Sequence, residues 1–117
     1  MQKYLIILND PPYGTERSYN GLRLARSLPN TTEAERRVFL MGAAGSCAKG
    51  GQKVPAGSYT IGDMLGAVLR RKGLVSVCGT CMDARGIVDA DLVEGAGRGT
   101  MDILTEWTQW AEKVLVF

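Results

Sequence analysis

Tyr4-Leu5-Ile6-Ile7-Leu8, followed at once by Asn9-Asp10-Pro11-Pro12, is the stretch that decides the fold class. An unbroken apolar run of this length, without alternation, is what a strand buried on both faces of a parallel sheet requires. The polar pair and the two prolines then end it in a loop. Working outward, Val38-Phe39-Leu40-Met41 and Leu74-Val75-Ser76-Val77 read as further buried strands, and Val114-Leu115-Val116-Phe117 as a last one. Helical spacing fills the intervals. Leu22, Ala25 and Leu28 define a helix from Glu16 to Leu28, broken by Pro29 and the polar stretch Asn30 to Arg36. Thr60-Ile61-Gly62-Asp63 resembles a capping box and opens a helix with Ile61, Met64, Leu65, Val68 and Leu69 on one face. Arg70-Arg71-Lys72-Gly73 reads as that helix's stop signal, cations on the last turn followed by glycine. Thr100 is placed to cap a final helix with Ile103, Leu104, Trp107 and Ala111 facing inward.

Strands that alternate with helices predict an α/β fold, a mostly parallel sheet covered on both faces. The 117 residues, 45% apolar and 22% charged, suit a single domain over residues 1–117. The segment from Gly42 to Tyr59 is too long for a simple connector and is expected to hold a short helix around Cys47 and a functional loop. Asp89 to Val93 is read as a turn of helix, and Gly95-Ala96-Gly97-Arg98-Gly99 as a loop without the spacing of a dinucleotide fingerprint. Of Trp107 and Trp110, one is expected in the core and the other at an oligomer interface.

Several function classes are excluded early. A net charge of +2 gives no footprint for nucleic acid or an anionic membrane. No run is long enough for a membrane span, and the N-terminal run is too short for a signal peptide, so a cytoplasmic location is expected. The chain has no histidine, which removes Ser-His-Asp and Cys-His catalysis and histidine metal ligands. Its three cysteines, in a reducing compartment, point to thiol chemistry, metal or packing rather than a disulfide framework.

Cys78-Gly79-Thr80-Cys81 follows the third strand directly. Only the thiolate is a good nucleophile, and a strand end opening a helix supplies N–H donors that favour it. Gly79 is read as the residue that lets the backbone turn beside the sulfur, and Arg85 as a cation folded back toward it. Three chemistries compete. A thioredoxin-type dithiol fits the local pattern, but no proline follows Pro55 to stand in cis beside the motif. A zinc or iron-sulfur site, with three cysteines and no histidine, can be completed only with a carboxylate or a symmetry mate. A carrier of sulfane sulfur needs only an exposed cysteine of lowered pKa on a strand end. Asp10 approaches the same sheet edge, with capping of the next helix as its alternative task. Cys47 is a candidate second thiol, with small-residue packing as the alternative.

The stretches YLIILNDPPYGTERSYNGLRLA, VFLMG with SCAKGGQKVP, and VCGTCMDARG together resemble the DsrE/TusD family of sulfur-relay proteins over essentially the whole chain. The most specific element is the cysteine after the third strand with Arg85-Gly86 at a fixed distance behind it. The resemblance implies a three-layer α/β/α domain with about five strands, assembled as a homotrimer or homohexamer. It implies Cys78 as persulfide carrier between sulfur donor and acceptor proteins; the residues themselves lead to the expectation of no cofactor and no metal. Two departures stand out. Cys81 is an additional thiol that can attack a persulfide on Cys78, and Gly42-Ala43-Ala44-Gly45 stands where an acidic residue is expected. A binding module holding a small ligand or an intersubunit metal at the cysteine loop is the competing reading.

Overall fold

Burial on both faces is what organises the sheet. In the computed structural model, which describes residues 1–54 and 59–117, β1 (Gln2–Leu8), β2 (Ala34–Leu40), β3 (Leu74–Cys78), β4 (Ala96–Gly99) and β5 (Lys113–Val116) form one sheet in the order β4-β3-β2-β1-β5. Every pairing is parallel. The sequence expectation of a mostly parallel α/β sheet of about five strands holds. Pro55, named above, lies outside the described residues.

Alternate side chains of the central strands face opposite ways, as pleating requires. Ile6, Leu8, Val38, Leu40, Val75 and Val77 pack with Leu22 and Ala25 of α1 (Arg17–Ser27) and Met64, Leu65 and Val68 of α2 (Ile61–Arg70). Complete burial of a side chain such as Leu8, Leu40 or Leu65 contributes roughly 1.5–3 kcal/mol. Leu5 and Phe39 are buried on the other face, where Phe39 meets Trp107 of α4 (Met101–Trp110) edge-on at 6.1 Å. The helices lie on opposite faces because the chain steps outward from β1 to β2 and later returns to β5 on β1's other side. Right-handed crossovers in opposite directions place their helices on opposite faces.

The second cover is thinner. No residue of α4 is fully buried, and Ile103, Leu104, Trp107 and Ala111 are only half-buried. Neither tryptophan is a core residue. The Arg37 guanidinium lies 3.8 Å from the centroid of Trp110 and 5.5 Å from that of Trp107, covering both.

Three local readings are corrected. The strand expected at Val38 begins at Ala34, because Arg36 is buried and its guanidinium donates to the Val68, Arg71 and Ala34 carbonyls at 3.3, 3.1 and 3.3 Å. A charged residue that caps the end of α2 looked like a loop residue in the sequence. The Gly95–Gly99 segment is in its last four residues an edge strand, β4, whose pairing with β3 supplies the order that its composition lacks. Thr60 does sit at the N-cap of α2, but its side chain makes no capping bond. The Ile61 N–H instead donates to the Tyr13 hydroxyl at 3.2 Å, so the cap arrives from the loop after β1. Thr100, by contrast, caps α4 as expected, accepting from Ile103 N–H at 3.2 Å.

Tyr13→Phe should therefore destabilise the fold by about 1 kcal/mol, and Thr60→Ala by less than about 0.5 kcal/mol. Urea unfolding of the two variants checks the order, which a Thr60 cap would reverse.

Candidate functional site

The register places the site. Leu8 pairs with Leu40 and Leu40 with Val77, so Asn9, Met41 and Cys78 leave the sheet side by side at its carboxyl edge. In open parallel sheets this edge is where ligands and reactive groups gather. From Cys78 the backbone turns directly into the short helix α3 (Gly79–Asp83), which Met82 and Ile87 anchor by burial.

Cys78 and Cys81 are joined as a disulfide, with Cα atoms 5.2 Å apart, inside the range that a disulfide spans. Both residues are half-buried at the surface. Each sulfur accepts a backbone N–H. The Cys81 N–H donates to Cys78 Sγ at 3.3 Å, and the Gly42 N–H donates to Cys81 Sγ at 3.1 Å. Thr80 Oγ1 lies 3.4 Å from Cys78 Sγ. Gly42 takes φ +56°, a conformation that favours glycine, so the position where an acidic residue was expected contributes backbone to the sulfur pair. The 3-10 turn Gly42–Ala48 that follows packs under Cys81, and a Cβ at Gly45 would meet Cys81 Cβ at 4.0 Å.

Of the other residues singled out, Arg85 donates from Nη1 to the Cys81 carbonyl at 3.1 Å, holding the turn of α3 rather than either sulfur. Asp10 accepts from Thr15 Oγ1 at 2.7 Å, and its carbonyl accepts from Ser18 Oγ at 2.7 Å. Both contacts tie Asp10 to the start of α1, but neither is the capping bond foreseen as its alternative task, since no side chain caps that helix. Cys47 lies at the end of the same 3-10 turn, fully buried, with its thiol donating to the Asp10 carbonyl at 3.6 Å. Burial pushes its pKa up to about 12, so it is a neutral thiol at physiological pH. The structure brings Cys78 and Cys81 together and turns Cys47 toward the end of β1.

Arg98 was missed. Reaching across from β4, it forms a two-pronged ion pair with Asp83 of α3, Nη1 to Oδ1 at 3.0 Å and Nη2 to Oδ2 at 2.8 Å. Its guanidinium lies over Gly79, where a Cβ would fall 2.8 Å from Arg98 Nε. Gly79 is thus explained by close approach rather than by a turn, since its φ is not positive. The strand identity of Gly95–Gly99 was the missing signal, because only a paired β4 places Arg98 beside Cys78, its partner in register being Gly99. Among the described residues no group of three or more Cys, Asp or Glu side chains is placed to hold a metal.

An all-parallel α/β domain with a vicinal cysteine pair at the carboxyl edge of an inner strand defines a class of small thiol-bearing α/β proteins. The chain belongs to the DsrE/DsrF-like family, whose sequence model matches residues 2–117. It is 41% identical to Protein YchN of Escherichia coli over the full length of both chains. It is 34% identical to the uncharacterized protein MJ0989 of Methanocaldococcus jannaschii, over 98% of this chain and 99% of that one. The crystal structure of the ychN protein from E. coli superposes with a TM-score of 0.93 over all of both chains. A protein of unknown function from Methanobacterium thermoautotrophicum, MTH1491, shares the fold at TM-score 0.77 and 12% identity, over 97% of each chain.

The hydrogen-bonded Arg98 guanidinium holds the Asp83 carboxyl below its ordinary value, and Asp83 in turn raises Arg98. Because the folded-state pKa of Asp83 is depressed, the pair's contribution is complete above the ordinary carboxylate value. It is lost only as the pH falls through the lower native one. Carboxyl-carbon NMR should find Asp83 titrating below the ordinary aspartate value in the wild type and moving upward in Arg98→Gln. An unchanged midpoint would mean that the pair does not persist in solution.

Proposed function

We propose that this protein carries sulfane sulfur as a persulfide on Cys78 and that Cys81 governs its release. The observation that carries the reading is the bonded pair itself: two half-exposed sulfurs at the carboxyl edge, each receiving a backbone N–H. Such donors favour the thiolate, which is the attacking species in sulfur exchange. Family membership and the sulfur-relay role common in that family support the same direction.

Loading is an exchange. The Cys78 thiolate attacks the outer sulfur of a donor persulfide, a sulfur-sulfur bond forms on Cys78, and the donor leaves as its own thiolate. Two exits are then open. An acceptor thiolate can take the outer sulfur in the same way, returning Cys78 to its thiolate. Alternatively the Cys81 thiolate attacks the inner sulfur, hydrosulfide leaves with the bonding electron pair, and the Cys78–Cys81 disulfide remains. That second exit reduces the sulfane sulfur and oxidises the pair, so a dithiol reductant must reset it. Asp83, Arg98 and Arg85 hold α3 in place while this happens, and sulfur donor and acceptor proteins would dock at the exposed edge.

Homo-oligomer assembly belongs to the same reading. Along β5, Val114 and Val116 are 40% and 64% exposed on a sheet edge whose outer backbone pairs with no strand among the described residues, and Met101 of α4 is 62% exposed. An apolar, unpaired edge of this kind is what a second copy would cover. Native mass spectrometry is expected to find a trimer or hexamer, and a monomer at micromolar concentration would remove this element.

The transfer itself is tested on reduced protein incubated with a small-molecule persulfide donor. Intact mass should show one added sulfur on a minor wild-type fraction, hydrosulfide in solution, and the oxidised pair. Cys81→Ser should accumulate the adduct severalfold, and Cys78→Ser should form none. Equal adduct on Cys78→Ser sinks the carrier assignment.

A further inference from the structure

Away from the cysteine edge, the helical face of the molecule concentrates arginine. On α1, Tyr19, Arg23 and Arg26 share one face at helical spacing, and on α2 Asp63, Ala67 and Arg70 do the same. The helices pack side by side, and Arg71 completes the far end. Between them runs an open groove made of two adjoining cavities of about 670 and 440 Å³, which share Arg23, Arg26 and Ala67. Arg23, Arg26, Arg70 and Arg71 are all exposed, and Asp63 is the groove's one carboxylate among its described lining residues. Four arginines against one aspartate exceed the net +2 of the entire chain, so positive charge is gathered here and diluted elsewhere.

None of the four is neutralised. The ion pairs of the described residues are Arg17–Asp10 and Arg98–Asp83, both outside the groove, and residues 55–58 carry no charge. Neutral acceptors orient two of the guanidinium groups instead. Asn20 Oδ1 accepts from Arg23 at 3.1 Å and Asn30 Oδ1 from Arg71 at 2.8 Å. Forked donors, two of them oriented and none held in an ion pair among the described residues, suit bidentate carboxylate recognition.

We infer that the α1–α2 groove is a docking surface for an acidic peptide segment of a partner protein, at a place distinct from the cysteine pair. Charge complementarity selects anions, and the aromatic geometry selects among them. Stacking of nucleic-acid bases needs a free ring face. Here Tyr19 and Tyr59 stack on each other at 4.1 Å, Arg23 lies 5.5 Å over Tyr19, and Tyr13 stands 5.6 Å from Tyr59. The rings are consumed within the protein, so no free face is left for a base to stack on. Short carboxylate-rich peptide fits the remaining chemistry.

The probe is a fluorescein-labelled hexaglutamate peptide titrated with the full chain and read by fluorescence anisotropy. Saturable binding is expected, weakening by about tenfold or more between low and physiological salt. Arg26→Glu/Arg70→Glu should weaken it by about tenfold or more, and Arg26→Gln/Arg70→Gln by less, whereas Lys3→Glu/Lys113→Glu, with the same change in net charge, should leave it within about twofold. The neutral pair keeps the test decisive if the reversed pair misfolds by circular dichroism. Absence of saturable binding overturns the inference, as does an equal loss in the Lys3/Lys113 control. Tighter binding of a labelled oligothymidylate, lost in the groove variants, would reassign the groove to nucleic acid and overturn the peptide proposal.

Discussion

The register of three buried parallel strands is the constraint on which everything else rests. Leu8, Leu40 and Val77 stand level across β1, β2 and β3. Side chains alternate faces with a period of two, so a slip of one residue would carry every core side chain of a strand to the wrong face. With one face packed on α1 and α2 and the other against α4, such a slip is costly in either direction. The strand ends are therefore pinned together, and the loops that follow meet at one edge as a consequence of packing.

From that edge the sulfur pair inherits its surroundings. Gly42 reaches Cys81 because β2 ends beside β3, and Arg98 reaches Gly79 because β4 pairs on β3's other side. The pair is thus flanked by backbone amide on one side and guanidinium on the other, from segments far apart in the chain. Arg36 shows the same economy at the opposite edge, where a strand residue satisfies the last carbonyls of α2. The Val68 carbonyl also accepts the Arg71 and Gly73 N–H groups, whereas the Arg71 carbonyl takes its donor from Arg36. The two covers of the sheet differ in depth, with buried residues on α1 and α2 and none on α4. An incompletely covered sheet face and an arginine-rich helical face give the molecule two surfaces of opposite chemistry, one apolar and one cationic.

The proposed sulfur chemistry asks little of a protein. It needs a nucleophile whose thiolate is favoured, a second thiol within bonding reach and access for partners. No histidine base is required, consistent with a chain that has none. In that proposal the choice between handing sulfur on and expelling it falls to Cys81, whose sulfur accepts the Gly42 N–H from a different strand end.

Much of this was legible in the sequence because it depends on local pattern. Uninterrupted apolar runs such as Tyr4 to Leu8 identified the inner strands, helical spacing identified α1, α2 and α4, and the spacing of Cys78 and Cys81 put two sulfurs within bonding distance. Strand β4 was not legible. Ala96-Gly97-Arg98-Gly99 has no strand propensity, and hydrogen bonding to β3 alone makes it one. The polar start of β2 and the Tyr13 cap of α2 failed for the same reason, since their partners are supplied by distant segments. The cysteine motif alone determined that two thiols would be neighbours at a strand end. Only the tertiary structure decided what surrounds them, and it buried Cys47 against β1's end, turned Arg85 to a carbonyl and brought Arg98 over Gly79. Spacing along a chain fixes distances of a few residues, whereas charge and hydrogen-bond partners across a sheet are set by packing.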